Sequence, residues 1–303
     1  MEQRTKCKGL TVEYLIDSTE KQMLGDYTFQ TSNGYNVTIK QHPHRIIDVS
    51  AMEDVDIDVL YSILTKLEKL LMMMDGRFHI VECLSYHDSS TGKENDLIIA
   101  ATHTLNHRLS LYSSRDFLKY ACNKLIDYHD ILDTELFDKW CDLLEQLDVV
   151  HQVFLYSLAD IKQPVDMICA FLIECAEPLI EIIKDKGGRL SNPKPNGLKE
   201  CIKTIIESYG STIFKREIVK GDPFYKAMRN SRVRIMHIKK RQEGTYFDGN
   251  ESWIYAWKIY LLYRSVCFSL MGIDASLYAS ALDECVKRID EHLGIVDCLM
   301  RRL

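Results

Sequence analysis

Three arginines and a histidine fall within nine residues, Arg229-Asn230-Ser231-Arg232-Val233-Arg234-Ile235-Met236-His237. Val233, Ile235 and Met236 sit among them, so the stretch is not a plain solvated basic run. A guanidinium is always charged and offers a planar fork of donors that matches phosphate oxygens. An imidazole exchanges a proton close to neutral pH. Together the two groups could do metal-free chemistry on a phosphodiester, with arginine holding and neutralising the phosphate while histidine moves the proton. Four residues separate Arg232 from His237, and seven separate Arg229 from it. At about 100° per residue, Asn230 and His237 lie nearly on one helical face, whereas Arg232 is well round from His237.

The surroundings of this stretch are basic although the chain is not. Over 303 residues the formal net charge is -6, so the surface as a whole does not attract nucleic acid. Lys226, Arg229, Arg232, Arg234, Lys239, Lys240 and Arg241 nevertheless follow one another with no acidic residue between them. Arg234, Lys239, Lys240 and Arg241 are therefore candidate nucleic-acid-contacting residues. The competing reading pairs the arginines with acids such as Glu200, Glu207 or Asp222, and makes Lys239 to Arg241 a solvated helix end.

The 10 cysteines are scattered, with no two-residue-spaced pair and no histidine cluster, so no zinc site or other metal or cofactor site is expected. Cys122, Cys141, Cys169, Cys175, Cys267, Cys285 and Cys298 stand in apolar helical contexts, where Cys acts as a small core residue. His42 and His44 flank Pro43 without a ligand partner and read as a surface loop. The polar start, Met1 to Lys8, is followed by no long apolar run. The expectation is a chain without signal peptide or membrane span, with reduced thiols in a cytoplasm.

The elements that must carry the stretch divide into two kinds. Residues 9–50 read as strands, with Asn33-Gly34 between β-rich runs as a hairpin signal whose two-residue turn needs positive φ at both positions. Residues 53–74 switch to a three- and four-residue apolar period and end at Asp75-Gly76. Two further strands are expected at 78–84 and 96–101. From Ser113 onward the chain reads as helices. Ser114 caps one through Leu132, and Asp133 or Thr134 caps another to about Ile161. Pro164 opens a run to about Lys186, kinked at Pro178. Leu198 to Tyr209 follows, then Asp222-Pro223 opens the helix of the Arg/His stretch. Helices from Trp253 to Met271 and from about Asp274 or Ser276 to Arg301 close the chain. The fold class is thus α+β, with a mixed α/β N-terminal domain over 1–112 and an all-helical domain over 113–303.

On these residues the region from about Val149 to Leu303 resembles a HEPN domain, most closely the ApeA-like branch. That family's signature is an arginine, four to six residues, then a histidine on a late helix of an all-α bundle; Arg232 and His237 match it. The run Arg264-Ser265-Val266-Cys267-Phe268-Ser269-Leu270-Met271-Gly272-Ile273, after a polar loop and a further helix, is of the type that follows the motif. The family often places Asn, Asp or His after the motif arginine. Here Val233 follows Arg232 and Asn230 follows Arg229, so Arg229 and Asn230 remain candidates beside Arg232 and His237. Glu177 stands where the family often has a polar residue and is assigned no catalytic role.

The resemblance implies metal-independent cleavage of RNA: the 2′-OH attacks the adjacent phosphorus, leaving a 2′,3′-cyclic phosphate and a 5′-OH. It implies a homodimer with the two motif helices adjacent, a role as effector or toxin in prokaryotic antiviral defence, and a possible regulatory partner for residues 1–112. The aromatic helix carrying Trp253, Tyr255, Trp257, Tyr260 and Tyr263 is expected to supply core and interface. The alternative is a non-catalytic HEPN-like module that binds RNA, nucleotide or a partner protein.

Overall fold

The computed structural model describes residues 6–15, 25–41, 45–76, 79–87, 124–159, 163–237 and 244–300. The expected strand at 96–101, Ser114 with the start of its helix, His42, His44, Cys122, Lys239, Lys240 and Arg241 lie outside the described residues. The chain divides into two compact units, Met1–Asp142 and Leu143–Leu303.

The first unit is built on an antiparallel sheet of five strands in the order β2-β3-β4-β1-β5. They are β1 (Lys6–Leu15), β2 (Tyr27–Gln30), β3 (Asn36–Gln41), β4 (Arg45–Asp56) and β5 (Ile80–His87). Cross-strand partners such as Val12 and Ile47, or Val37 and Val49, put apolar residues on one face. The hairpin expected at Asn33-Gly34 exists, but residues 31–35 form a longer loop and only Gly34 has positive φ, 84°. Helix α1 (Ile57–Asp75) buries Leu60, Leu64, Leu67, Leu70 and Leu71 and stops at Gly76, whose φ of 67° lets its N–H reach the Met72 carbonyl.

A short helix α2 (Tyr128–Ile131) precedes α3 (Thr134–Ala159), whose Leu136 N–H is accepted by the Asp133 carboxylate at 2.7 Å. The unit boundary falls about thirty residues later than the change to helical period suggests, because the start of α3 belongs with the sheet. The Trp140 indole donates to the Lys66 carbonyl at 2.7 Å, and Phe137 packs edge-on against Phe29.

The second unit contains α4 (Val165–Glu174), α5 (Ala176–Asp185), α6 (Gly197–Tyr209), α7 (Lys215–Ile218), α8 (Asp222–Met236), α9 (Asn250–Leu270) and α10 (Ala279–Met300). The expected single helix over 165–186 is broken at Cys175, three residues before Pro178. Proline removes the hydrogen bond to the carbonyl four residues earlier, that of Glu174, so the break appears upstream of the ring. Helix α9 is the unit's axis: 16 of its 21 residues are buried, and α4, α6 and α10 pack against it. Tyr255, Trp257, Tyr260 and Tyr263 are consumed by this core and are not left over for a partner surface. Inside it the Lys258 ammonium meets Glu217 at 2.6 Å and Asp290 at 2.7 Å, away from water.

Candidate functional site

Helix α8 carries the Arg/His stretch. Gly221, at φ 63°, turns the chain into it, and Pro223 lies in the first turn where its missing N–H costs nothing. Phe224, Tyr225, Ala227, Met228, Ser231 and Val233 form the buried face. The polar face therefore carries Arg229, Asn230, Arg232 and Arg234. The helix ends at Met236, so His237 is its exposed C-terminal cap residue, with φ -99° and ψ 4°.

Arg232 and His237 are brought together. The Arg232 Nη1 donates to His237 Nε2 at 3.0 Å. Arginine has only donors, so Nε2 accepts and the neutral ring carries its proton on Nδ1. The face angle that separates the two residues on an ideal helix is overcome in two ways: His237 leaves helical geometry, and the guanidinium is long enough to reach back past the last turn.

The other edge of the same guanidinium is held by a residue that the sequence reading did not select. Arg232 Nη2 donates to Glu174 Oε1 at 2.6 Å and Arg232 Nε donates to Glu174 Oε2, a fork-on-fork pair. The pair raises the Arg232 pKa, with Glu177 adding a smaller field. Glu174 occupies the last turn of α4, at the break that Pro178 imposes. Its signal in the sequence is that it is the single charged residue in the apolar run from Met167 to Ala176. Glu200, Glu207 and Asp222 are engaged elsewhere and do not pair with these arginines among the described residues: Asp222 holds Lys199 and Lys226, Glu200 faces Lys199, and Glu207 faces Lys203.

The remaining residues of the stretch sort by what they touch. The Asn230 amide donates to the Thr245 carbonyl at 3.1 Å, and the Ser231 hydroxyl accepts from the Phe247 N–H at 2.7 Å. Both pin residues 245–247 along α8, and Asp166 adds a third tether by accepting from the Gly249 N–H at 2.9 Å. Asn230 therefore has a structural task here. Arg234 lies 3.5 Å from Asp248 and over the Tyr246 ring at 4.4 Å. Arg229 is exposed and forms no ion pair among the described residues.

Among the described residues no three His, Cys, Asp or Glu side chains converge as a metal cluster would, and no helix is long and apolar enough to cross a membrane. Burial pushes the Cys175 and Cys267 thiols up to about 12, which leaves them unreactive core groups. The chain matches no family model, no curated protein and no solved structure.

Proposed function

We propose that the chain is a metal-independent endoribonuclease of HEPN type, acting as an effector or toxin in prokaryotic antiviral defence. The observation that carries the reading is the contact of Arg232 with the exposed His237, with Glu174 clamping the arginine from behind. A guanidinium fixed on one side and free to exchange its partner on the other can be recruited by a phosphate. In the free protein it occupies the His237 Nε2 lone pair. When a phosphate oxygen takes over that N–H, Nε2 is released as a base beside the same phosphate.

His237 then removes the proton from a ribose 2′-OH, the 2′ oxygen bonds to phosphorus, and the bond from phosphorus to the 5′ oxygen breaks. Arg232 offsets the charge of the phosphorane, and the leaving 5′ oxygen takes a proton from an imidazolium, either this one or its counterpart in a homodimer. Arg229, one turn before Arg232 on the same face and unpaired among the described residues, supplies a cation for the flanking phosphate. DNA, lacking the 2′-OH, is not cut.

The second reading, a non-catalytic module that binds RNA, nucleotide or a partner, draws support from the same Glu174 pair, which offsets the charge of Arg232 in the free protein. One assay separates the two. Single-stranded RNA is incubated in EDTA with wild type and with His237→Ala, and product ends are analysed. The nuclease reading expects 2′,3′-cyclic phosphates from wild type and none from the variant, with RNA binding retained. Binding without cleavage by wild type selects the module.

A further inference from the structure

The second unit has a cleft of mixed polarity that the Arg/His site does not use. It holds about 460 Å³ and is lined by the ends of α6 and α9, the start of α10, the turn after α5, the turn before α7 and the segment between α9 and α10. The volume is within the range of small-molecule sites. Two opposite charges share its lining, Arg189 and Asp283, both exposed. Neither forms an ion pair among the described residues, so the cleft keeps a cation and an anion apart.

Between them the wall is rich in hydroxyls. Ser211, Thr212 and Ser269 line the cleft with hydroxyls that have no hydrogen-bond partner among the described residues. Ser208 is different: its hydroxyl donates to the Thr204 carbonyl at 2.6 Å and accepts from the Ser191 N–H at 2.9 Å, so it serves the scaffold. Deeper in, burial raises the Tyr278 phenol above its usual pKa, and the neighbouring Ser265, only 4 % exposed, offsets part of that rise. Ala279 and Leu282 bring the first turn of α10, the positive end of that helix's dipole, to the cleft.

The rim is fixed by glycine. Gly187 turns the chain at φ 69°, and a Cβ on Gly188 would come within 2.9 Å of the Tyr209 hydroxyl and 2.7 Å of Ile183. That close approach carries Arg189 to the mouth of the cleft.

We propose that this cleft binds a small phosphorylated sugar. Arg189 takes the phosphate, because a guanidinium fork matches its oxygens and the α10 amides favour the same charge. Asp283 accepts from sugar hydroxyls, and the serine and threonine hydroxyls, which both donate and accept, complete recognition of a polyol. An inorganic anion would leave Asp283 without a role, and an uncharged sugar would leave Arg189 without one. The site is independent of the nuclease reading.

Thermal unfolding of the full chain with millimolar ribose 5-phosphate, ribose or inorganic phosphate tests this. Saturating ribose 5-phosphate is expected to raise Tm by about 3 °C or more, and more than either fragment. Arg189→Ala and Thr212→Val, both at exposed side chains whose removal leaves the core intact, should weaken binding by about tenfold and a few-fold. Adenosine monophosphate serves as a further arm, and a larger shift with it would assign the phosphorylated sugar to a nucleotide. His237→Ala should keep the whole shift. No shift with any phosphorylated sugar, or a shift that Arg189→Ala and Thr212→Val both retain, overturns the proposal.

Discussion

Replacing Glu174 by Gln isolates what the carboxylate does to Arg232. The side chain keeps its size, but two charge-assisted hydrogen bonds become at best one neutral acceptor. Fully buried, such bonds are each worth about 1.5–3 kcal/mol. The Arg232 and Glu174 side chains are 20 % and 37 % exposed, so water screens the pair and a stability loss of about 1 kcal/mol is expected. If the chain cleaves RNA as proposed, rate and affinity should move in opposite directions. Without its clamp Arg232 is less well placed at the phosphorane, and a loss of about tenfold in the cleavage step corresponds to roughly 1.4 kcal/mol. Removing a negative charge roughly 7 Å from the bound phosphate recovers about 0.6 kcal/mol at water-like dielectric, or about threefold tighter RNA binding. Single-turnover cleavage reports the first quantity. Fluorescence anisotropy with an RNA carrying a 2′-deoxy residue at the scissile position reports the second. If Glu174→Gln lowered rate and affinity together, or changed neither, the clamp would have no part in the chemistry.

Other perturbations probe the parts that hold the site and the fold. Lys258→Met leaves Glu217 as an uncompensated buried charge and should cost about 3–5 kcal/mol in urea unfolding, with Lys258→Met/Glu217→Gln recovering part of the loss. Asp148, the single non-glycine residue with positive φ among those described, at 30°, should accept glycine with a gain of about 1 kcal/mol, read as a rise in unfolding midpoint. Burial raises the Glu68 carboxyl from 4.5 to about 8, so the native state binds its proton more tightly than the unfolded chain does. Its contribution is full below pH 4.5 and declines as pH rises toward 8; urea titrations across that window should show the decline, and Glu68→Gln should flatten it. On the nuclease reading, Asn230→Ala, which frees the Thr245 carbonyl, should slow cleavage modestly while leaving product chemistry unchanged, as end analysis would show.

Local physics made much of the fold legible. Gly76 stops α1 because a left-handed residue was needed there, and Asp133 caps α3 through the Leu136 amide. Helix α1 starts at Ile57 and not at residue 53 because β4 continues to Asp56, held by pairing with β1 that no local period reveals. The hairpin was legible from Asn33-Gly34, but its turn was not: loop length depends on the register between β2 and β3, which the whole sheet sets. The end of the first packing unit at Asp142 is not legible in the period change near residue 113 for a related reason. A change from strand to helix marks secondary structure, whereas a packing unit is marked by contacts such as Trp140 with Lys66, 74 residues apart.

The site shows the same division between local and distant information. Spacing favours Arg232 as the partner of His237, and the helical wheel argues against it. The wheel assumes that the helix continues, yet it ends one residue before the histidine, and beyond the end the angular rule no longer applies. The contact of Arg232 with His237 is therefore compatible with the wheel, because the second residue is a cap. Glu174 could not be found by either rule, since 58 residues separate it from Arg232. What can be read locally is its oddity, a lone carboxylate in an apolar helix end next to a proline break. A charge in such a place must find a counter-charge on a neighbouring element or raise the cost of folding. Helix α8, packed against α4 and carrying three arginines, is the element able to supply one.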